Sequence, residues 1–378
     1  MREVFKRKLY DRTSFVNYER CGEILNELDL TEVYKSGEHE IIELYPCTGV
    51  WGRAVCELTK PSRHVALEHI PAFHEYSKKL NSDLPTMLPI AVDPYKWSVY
   101  TSLIKYGGIN PQKLPSDKIN PSLLVIGNLT TSQSKQLLDQ FLVTVMYRNW
   151  LQHYGCVRML LWTTASVASK VTLTQGERHR GRLAALAGLF TDITPVATFY
   201  EHKDFAKAIK IKRAQAQKKL GRVGSDVREK TTEFAPVPYN KKTLDANPVQ
   251  LTSADVLGRD ELVLLDIKPK PIQAWEDQVS MPAVEYVFRN LFILSSVALS
   301  SAVSSLGPGA PEYLSQKLPA KMMAKHPIDL SNEEFIELLL AFENWPFKPE
   351  HYFDITADAD DTLQAAPAEL TSSVLQTE

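Results

Sequence analysis

The chain has 378 residues, with 43 Lys+Arg against 45 Asp+Glu, a net charge of −2, 44% hydrophobic and 23% charged residues. These proportions are those of an ordinary globular protein and exclude disorder throughout. A near-neutral charge excludes a polycation, so any contact with nucleic acid must come from local patches.

In chain order, MREVFKRKLYDR opens with Arg2, Lys6, Arg7, Lys8 and Arg12 beside Glu3 and Asp11. It has no apolar run of the secretory type, and its two acids depart from transit-peptide composition. Short apolar runs then alternate with segments of helical spacing. EIIELYP (40–46), HVALEH (64–69), MLPIAVDP (87–94), SLLVIGNL (122–129) and VRMLLWTT (157–164) predict buried strands. Over 134–155, Leu138, Phe141, Leu142, Val145 and Trp150 recur near helical spacing and Gly155 is the stop, which predicts one helix. ITPVATFY (193–200) and ELVLLDIKP (261–269) are two further β-rich runs. Strands alternating with helices predict an α/β protein, a mainly parallel sheet wrapped by helices.

The segment 201–260 is different. Lys203, Lys207, Lys210, Lys212, Arg213, Lys218, Lys219 and Arg222 stand against Glu201 and Asp204, and Pro236, Pro238 and Pro248 follow. This predicts an exposed basic helix and then a long loop. Beyond Pro271 the pattern is helical, interrupted at Gly307-Pro308-Gly309. The longest uncharged stretch, 290–311, is broken by Ser, Gly and Pro and predicts no membrane span. Ser331-Asn332-Glu333-Glu334 is a capping box before Phe335, Ile336, Leu338, Leu339 and Phe342, in a helix ending near Trp345-Pro346. Residues 351–378 hold six acids and no Lys or Arg, which predicts a mobile acidic tail. Cys21, Cys47, Cys56 and Cys156 lack CxxC spacing and read as reduced thiols, not as a zinc or disulfide framework. Cys47 has no base placed beside it by the sequence and reads as a small filler.

Four polar residues stand at predicted strand ends. Glu43 ends the first, before the turn Tyr45-Pro46-Cys47-Thr48-Gly49; Glu68, Asp93 and Asn128 end the next three. In a doubly wound sheet the carboxyl ends of the strands form the ligand crevice, so these side chains should face one rim. An acid after the second strand suits a ribose diol, and an acid after the third suits an adenine amino group. An Asn after the fourth suits a substrate amine.

This layout resembles the class I methyltransferases of the rRNA adenine N6-dimethyltransferase family. That family carries E-x-G-x-G-x-G at the first turn and N-[LI]-P-[YF] after the fourth strand. Here the first motif reads Glu43-Leu44-Tyr45-Pro46-Cys47-Thr48-Gly49, with two of three glycines replaced, and the second Asn128-Leu129-Thr130-Thr131, without proline or aromatic. Glycines there let the backbone approach the cofactor, and the family's aromatic stacks on the flipped adenine. The site reads as inherited but disabled. Residues 93–100 (DPYKWSVY), 157–162 (VRMLLW), 190–192 (FTD), 327–335 (PIDLSNEEF) and 343–349 (ENWPFKP) further resemble one branch, the fungal mitochondrial transcription initiation factors. That similarity runs from about residue 15 to 350. The basic segment and the tail fit it least.

The resemblance implies a Rossmann-like methyltransferase domain over 1–268 with a basic insertion at about 201–260, a helical C-terminal domain over 269–350, and a flexible acidic tail over 351–378. It implies a non-enzymatic partner of the mitochondrial RNA polymerase, located in the matrix nucleoid. Such a protein helps melt promoter DNA and holds the non-template single strand. It implies a vestigial S-adenosylmethionine site at Phe15, Glu43, Gly49, Glu68, Asp93 and Asn128, with no cofactor required. It also implies nucleic-acid contacts by Tyr95, Trp97, Lys170, Arg178, Arg180 and Arg182. Tyr95 and Trp97 also read as core aromatics, and the basic residues as a solvated loop. The alternatives are an active S-adenosylmethionine-dependent rRNA adenine N6,N6-dimethyltransferase and an inactive RNA-binding scaffold of the mitochondrial ribosome.

Overall fold

The computed structural model describes residues 12–80, 82–131, 133–200, 241–258 and 261–349. The predicted basic helix over 203–222 and the predicted tail over 351–378 lie outside these residues.

Each predicted apolar run is a strand: β2 (Glu40–Leu44), β3 (Arg63–Leu67), β4 (Met87–Ile90), β5 (Ile119–Leu129), β6 (Cys156–Thr164), β7 (Thr191–Phe199) and β10 (Leu262–Pro269). They form an eight-stranded sheet of order β4-β3-β2-β5-β6-β10-β7-β8, where β8 is Val249–Gln250. β10 runs antiparallel to both β6 and β7, and the remaining pairs are parallel. Seven consecutive residues of β5, Leu123 to Leu129, are buried, as expected for a strand covered on both faces. Gly127 of β5 sits against β2: a Cβ there would come within 2.9 Å of the Leu44 carbonyl oxygen. The strand order reverses between β2 and β5, which places the ligand crevice at their carboxyl ends.

Helices cover the sheet: α1 (Cys21–Asn26), α2 (Val50–Thr59), α3 (Pro71–Leu80), α4 (Trp97–Lys105), α5 (Ser134–Tyr147), α6 (Ala165–Thr172) and α7 (Arg182–Phe190). The single helix expected over 134–155 is broken. Arg148 (φ 50°) and Trp150 (φ 52°) are left-handed, and a 3₁₀ turn, Trp150–Tyr154, follows. The break lays the Trp150 indole flat on Phe141, with centroids 4.6 Å apart. The second half of the predicted long loop is also structured. It holds α8 (Lys241–Ala246), β8, and β9 (Val256–Leu257), which pairs antiparallel with β1 (Ser14–Phe15). Two-residue strands carry too short a pattern for periodicity to reveal.

After β10 come α9 (Met281–Ile293), α10 (Ala310–Lys317) and α11 (Asn332–Glu343), joined by short helical turns. α11 starts at the predicted capping box, with Ser331 Oγ accepting from Glu334 N–H and the Glu334 carboxylate accepting from Ser331 N–H. Phe288, Phe335, Phe342 and Trp345 belong to the same apolar cluster as Leu161 and Val263 of the sheet, so this helical region shares a core with one sheet face. Under the opposite face, Arg158 of β6 and Asp266 of β10 form a buried bidentate pair at 2.7 and 2.8 Å. No helix among the described residues is long and apolar enough to cross a membrane.

Candidate functional site

The turn after β2 keeps a glycine-type backbone under side chains. Tyr45 (φ 51°), Cys47 (φ 53°) and Gly49 (φ 68°) are all left-handed. A non-glycine residue there costs on the order of 1–2 kcal/mol. Both side chains point inward: Tyr45 and Cys47 are buried. Burial raises the Cys47 thiol above its ordinary pKa, which suits a filler and not a nucleophile.

The strand-end residues converge as expected, but the chain itself occupies each of them. The Tyr45 hydroxyl donates to Asp93 Oδ1 at 2.7 Å. Glu68 accepts from the Arg12 guanidinium at 2.5 Å and from Ile70 N–H at 2.9 Å. Arg12 is buried and its guanidinium lies over the rings of Tyr45 and Phe73, at 4.9 and 5.1 Å. Burial opposes its charge, and the adjacent Cys47 sulfur and Glu68 carboxylate more than offset that, so its pKa lies above the ordinary value. Asn128 donates through Nδ2 to the Thr13 carbonyl at 2.9 Å and lies 3.2 Å from Ser14 Oγ. Thr130, where the family motif has proline, accepts from Thr13 N–H through Oγ1 at 3.1 Å. Phe15 stacks on Trp162 at 5.2 Å, and its carbonyl accepts from the Thr48 hydroxyl.

Glu43 reaches the crevice wall, but its carboxylate turns to His64, with Oε2 3.0 Å from Nε2. The two atoms make no well-directed hydrogen bond, so the contact is an ion pair by proximity. Burial alone would lower the His64 pKa; contacts with Cys56 and Glu43 overcome this and hold it at about 9. Gly52 of α2 makes room for the carboxylate, since a Cβ there would fall 2.1 Å from Oε2.

What remains between Phe15, Glu43, Tyr45, Trp51, Asn128 and Trp162 is a cavity of about 10 Å³. That is room for roughly one water, so these residues do not fit S-adenosylmethionine in this arrangement. Arg12 and His64, which hold Glu68 and Glu43, stood out by no motif. Their partners lie 56 and 21 positions away in sequence.

A second group faces outward beside this rim. The Tyr95 hydroxyl donates to Gln136 of α5 at 3.1 Å, and Tyr95 N–H donates to Asp93. Asp139, one turn further along α5, lies within electrostatic reach of Lys170 and Arg182. Tyr95, Lys170 and Arg182 therefore share the surface around α5. Lys170, Arg178 and Arg182 are exposed. Arg182 also approaches Glu285 at 3.9 Å.

Two of the expected contact residues are more tightly held by the fold than the others. Arg180 is only 5% exposed, and its guanidinium donates to the carbonyls of Ile328 and Leu330 over the Phe335 ring. Of residues 178–182 only Arg180 turns inward, so it ties the loop to the helical region while Arg178 faces solvent. Trp97 is half-buried, edge-on to Trp150 at 5.2 Å and to Phe141 at 6.4 Å. It is built into an aromatic cluster that includes Tyr100, whereas Tyr95 is the freer ring.

The family model for ribosomal RNA adenine dimethylase matches residues 5–339. The chain is 30% identical over 334 residues to "Mitochondrial transcription factor 1" of Lachancea kluyveri, covering 88% of each chain. It is 29% identical over 339 residues to the protein of the same name from Saccharomyces cerevisiae, again covering 88% of each. In structure it is similar to a dimethyladenosine transferase from Plasmodium falciparum, with a TM-score of 0.50 over 87% of this chain and 96% of that one. At 13% identity that likeness concerns the fold.

Proposed function

Because the chain belongs to the ribosomal RNA adenine dimethylase family, and matches proteins named mitochondrial transcription factors along most of its length, we propose that it is a mitochondrial transcription initiation factor without methyltransferase chemistry. It joins the mitochondrial RNA polymerase at promoters, helps melt the start site and holds the non-template strand. It requires no cofactor.

The observation that carries this reading is the closed crevice. Glu68 and Asp93 would serve a cofactor's ribose and adenine, and they are held instead by Arg12 and Tyr45. Asn128, which would polarise a substrate amine, holds the backbone of Thr13. A chain that has lost the chemistry still keeps a rim able to receive unstacked bases. Tyr95 offers a ring there, and Lys170, Arg178 and Arg182 offer charge for phosphates. Stacking contributes roughly 1–3 kcal/mol per base, and basic side chains follow the backbone.

The retained Glu68, Asp93 and Asn128 favour one alternative, an active rRNA adenine dimethyltransferase. Incubation with labelled S-adenosylmethionine and unmethylated small-subunit rRNA separates the two, because stoichiometric dimethyladenosine would sink the initiation-only reading. The direct test is run-off transcription from a linear mitochondrial promoter, with the cognate polymerase and with or without this protein. The expected result is strong dependence on the protein for duplex promoter and weak dependence for a pre-melted one. Equal transcription from duplex with and without it would remove the initiation role.

A further inference from the structure

A cavity of about 290 Å³ lies behind the loop that carries Arg178. Its walls come from residues 171–175, from α7, from the start of β7, from α8 and from the start of α11. Three cations line it: Arg180, Lys242 and Lys270. Arg180 is 5% exposed, and its Nε–H has no acceptor. The two bonds of its guanidinium go to neutral carbonyls, and among the described residues no carboxylate lies within ion-pair distance of it. Burial holds its pKa below the ordinary value; Asp329 and Glu177 oppose this from beyond ion-pair distance and do not fully offset the cost of burying the charge. Lys242 is half-buried and makes no hydrogen bond or ion pair with a described residue. Burial holds its pKa below the ordinary value; Asp192 opposes this, and the like charge of Lys270 adds to it. Lys270 donates to the Gly188 carbonyl at 2.7 Å and lies 3.7 Å from Asp192.

α11, twelve residues long, directs its positive end into the same space. Two acids share the wall, Asp192 and Glu333, and both are exposed, so water screens them. The capping box already uses part of that helix end, so Arg180, Lys242 and Lys270 are the main charges set against the two acids.

We propose that this cavity binds a phosphate group, held by Arg180, Lys242, Lys270 and the N-terminus of α11. A helix N-terminus with cationic side chains is a recurrent phosphate cradle. The group has two possible sources, a free phosphate or nucleotide, or the backbone of bound DNA. Either would brace the helical region against the loop bearing Arg178, because residues from both line the cavity. The proposal stands apart from the crevice; its free-phosphate form does not depend on the initiation role, and its DNA form rests on the DNA binding of that reading.

The test uses the full chain, inorganic phosphate and Lys242→Gln, with Lys242→Arg as the conservative variant. Thermal melts and calorimetry at constant ionic strength, phosphate against chloride, read the first source. A saturable rise in Tm that weakens roughly tenfold or more in affinity in Lys242→Gln and survives in Lys242→Arg supports the free-ligand form. If phosphate gives no shift, the second source is read from binding to duplex promoter DNA. There Lys242→Gln should flatten the slope of log affinity against log salt by about 0.9, the value of one phosphate contact. No shift with phosphate and an unchanged slope would overturn the site. So would a phosphate shift of equal size in Lys242→Gln. A variant with the wild-type Tm in chloride shows that the comparison is between folded proteins; should Lys242→Gln fall short of that, Lys242→Met takes its place in both arms.

Discussion

At the scale of single residues, closure of the crevice rests on opposite charges taken out of water together. Arg12 and Glu68 are 3% and 1% exposed. Removing one partner of a buried pair strands the other, a loss of typically 3–5 kcal/mol. Arg12→Ala and Glu68→Ala should therefore each lower Tm by many degrees, while Arg12→Met with Glu68→Leu should recover most of it. Equal losses that simply add in the double variant would show that the two do not act as a pair. Glu43 and His64 are a second such pair, and theirs is visible in pH. The His64 pKa is raised from 6.5 to about 9. A raised pKa means that the folded state binds the proton more tightly. Its contribution is complete below about pH 6.5 and is lost as pH rises through about 9. The upper bound is about 3 kcal/mol. Chemical denaturation between pH 6 and 9.5 should show this decline, and His64→Gln should remove it; a decline of the same size in the variant would assign it elsewhere.

At the scale of elements, the two rim aromatics are both half-buried against the main core, but only Trp97 is locked into a cluster of rings. Trp97 opens α4 and meets Tyr100, Phe141 and Trp150. Tyr95 touches α5 only through its hydroxyl bond to Gln136 among the polar contacts. Truncating a core Trp or Phe costs 3–5 kcal/mol; half-buried Trp97→Ala should cost about 2–3, and Tyr95→Ala less than about 1. A fluorescent base analogue near the start site should then report weaker opening for Tyr95→Ala at nearly wild-type Tm. If Tyr95→Ala instead melts as early as Trp97→Ala, it too is a packing residue. The elements themselves were readable where local pattern carries them. β5 shows a continuous apolar run because both its faces are covered, and Ser331 and Glu334 cap α11 by contacts three residues apart. The break at Arg148 and Trp150 was not readable. It serves a ring stacked nine positions back, and no local preference calls for it. β1 and β9 exist only by pairing with each other across more than 240 positions.

At the scale of the whole molecule, the sequence showed which strand ends meet but not what fills the space between them. Glu43, Glu68, Asp93 and Asn128 follow from alternation and topology. Arg12, Tyr45 and Thr13 fill the crevice through contacts over 48 to 117 positions, which no motif spacing encodes. The basic loop is a further case, since charge pattern alone could not tell Arg180, turned inward, from its exposed neighbours. A net charge of −2 makes this distinction measurable. With no general attraction for a polyanion, binding to single-stranded promoter DNA must come from a few local cations and must fall steeply with salt. Each phosphate neutralised on a single strand contributes about 0.7 to the slope of log affinity against log salt. Lys170→Ala, Arg178→Ala and Arg182→Ala should each flatten the slope by up to that amount, with little change in Tm. Arg180→Ala should do the reverse. It removes two bonds to buried carbonyls and a contact with Phe335, so Tm should fall while the slope of the protein that remains folded is kept. A slope that flattens as much for Arg180→Ala as for Arg178→Ala would mean that Arg180 reaches a DNA phosphate, through the cavity or by the loop turning over. A slope unchanged by all four would move the single-strand contact away from this surface.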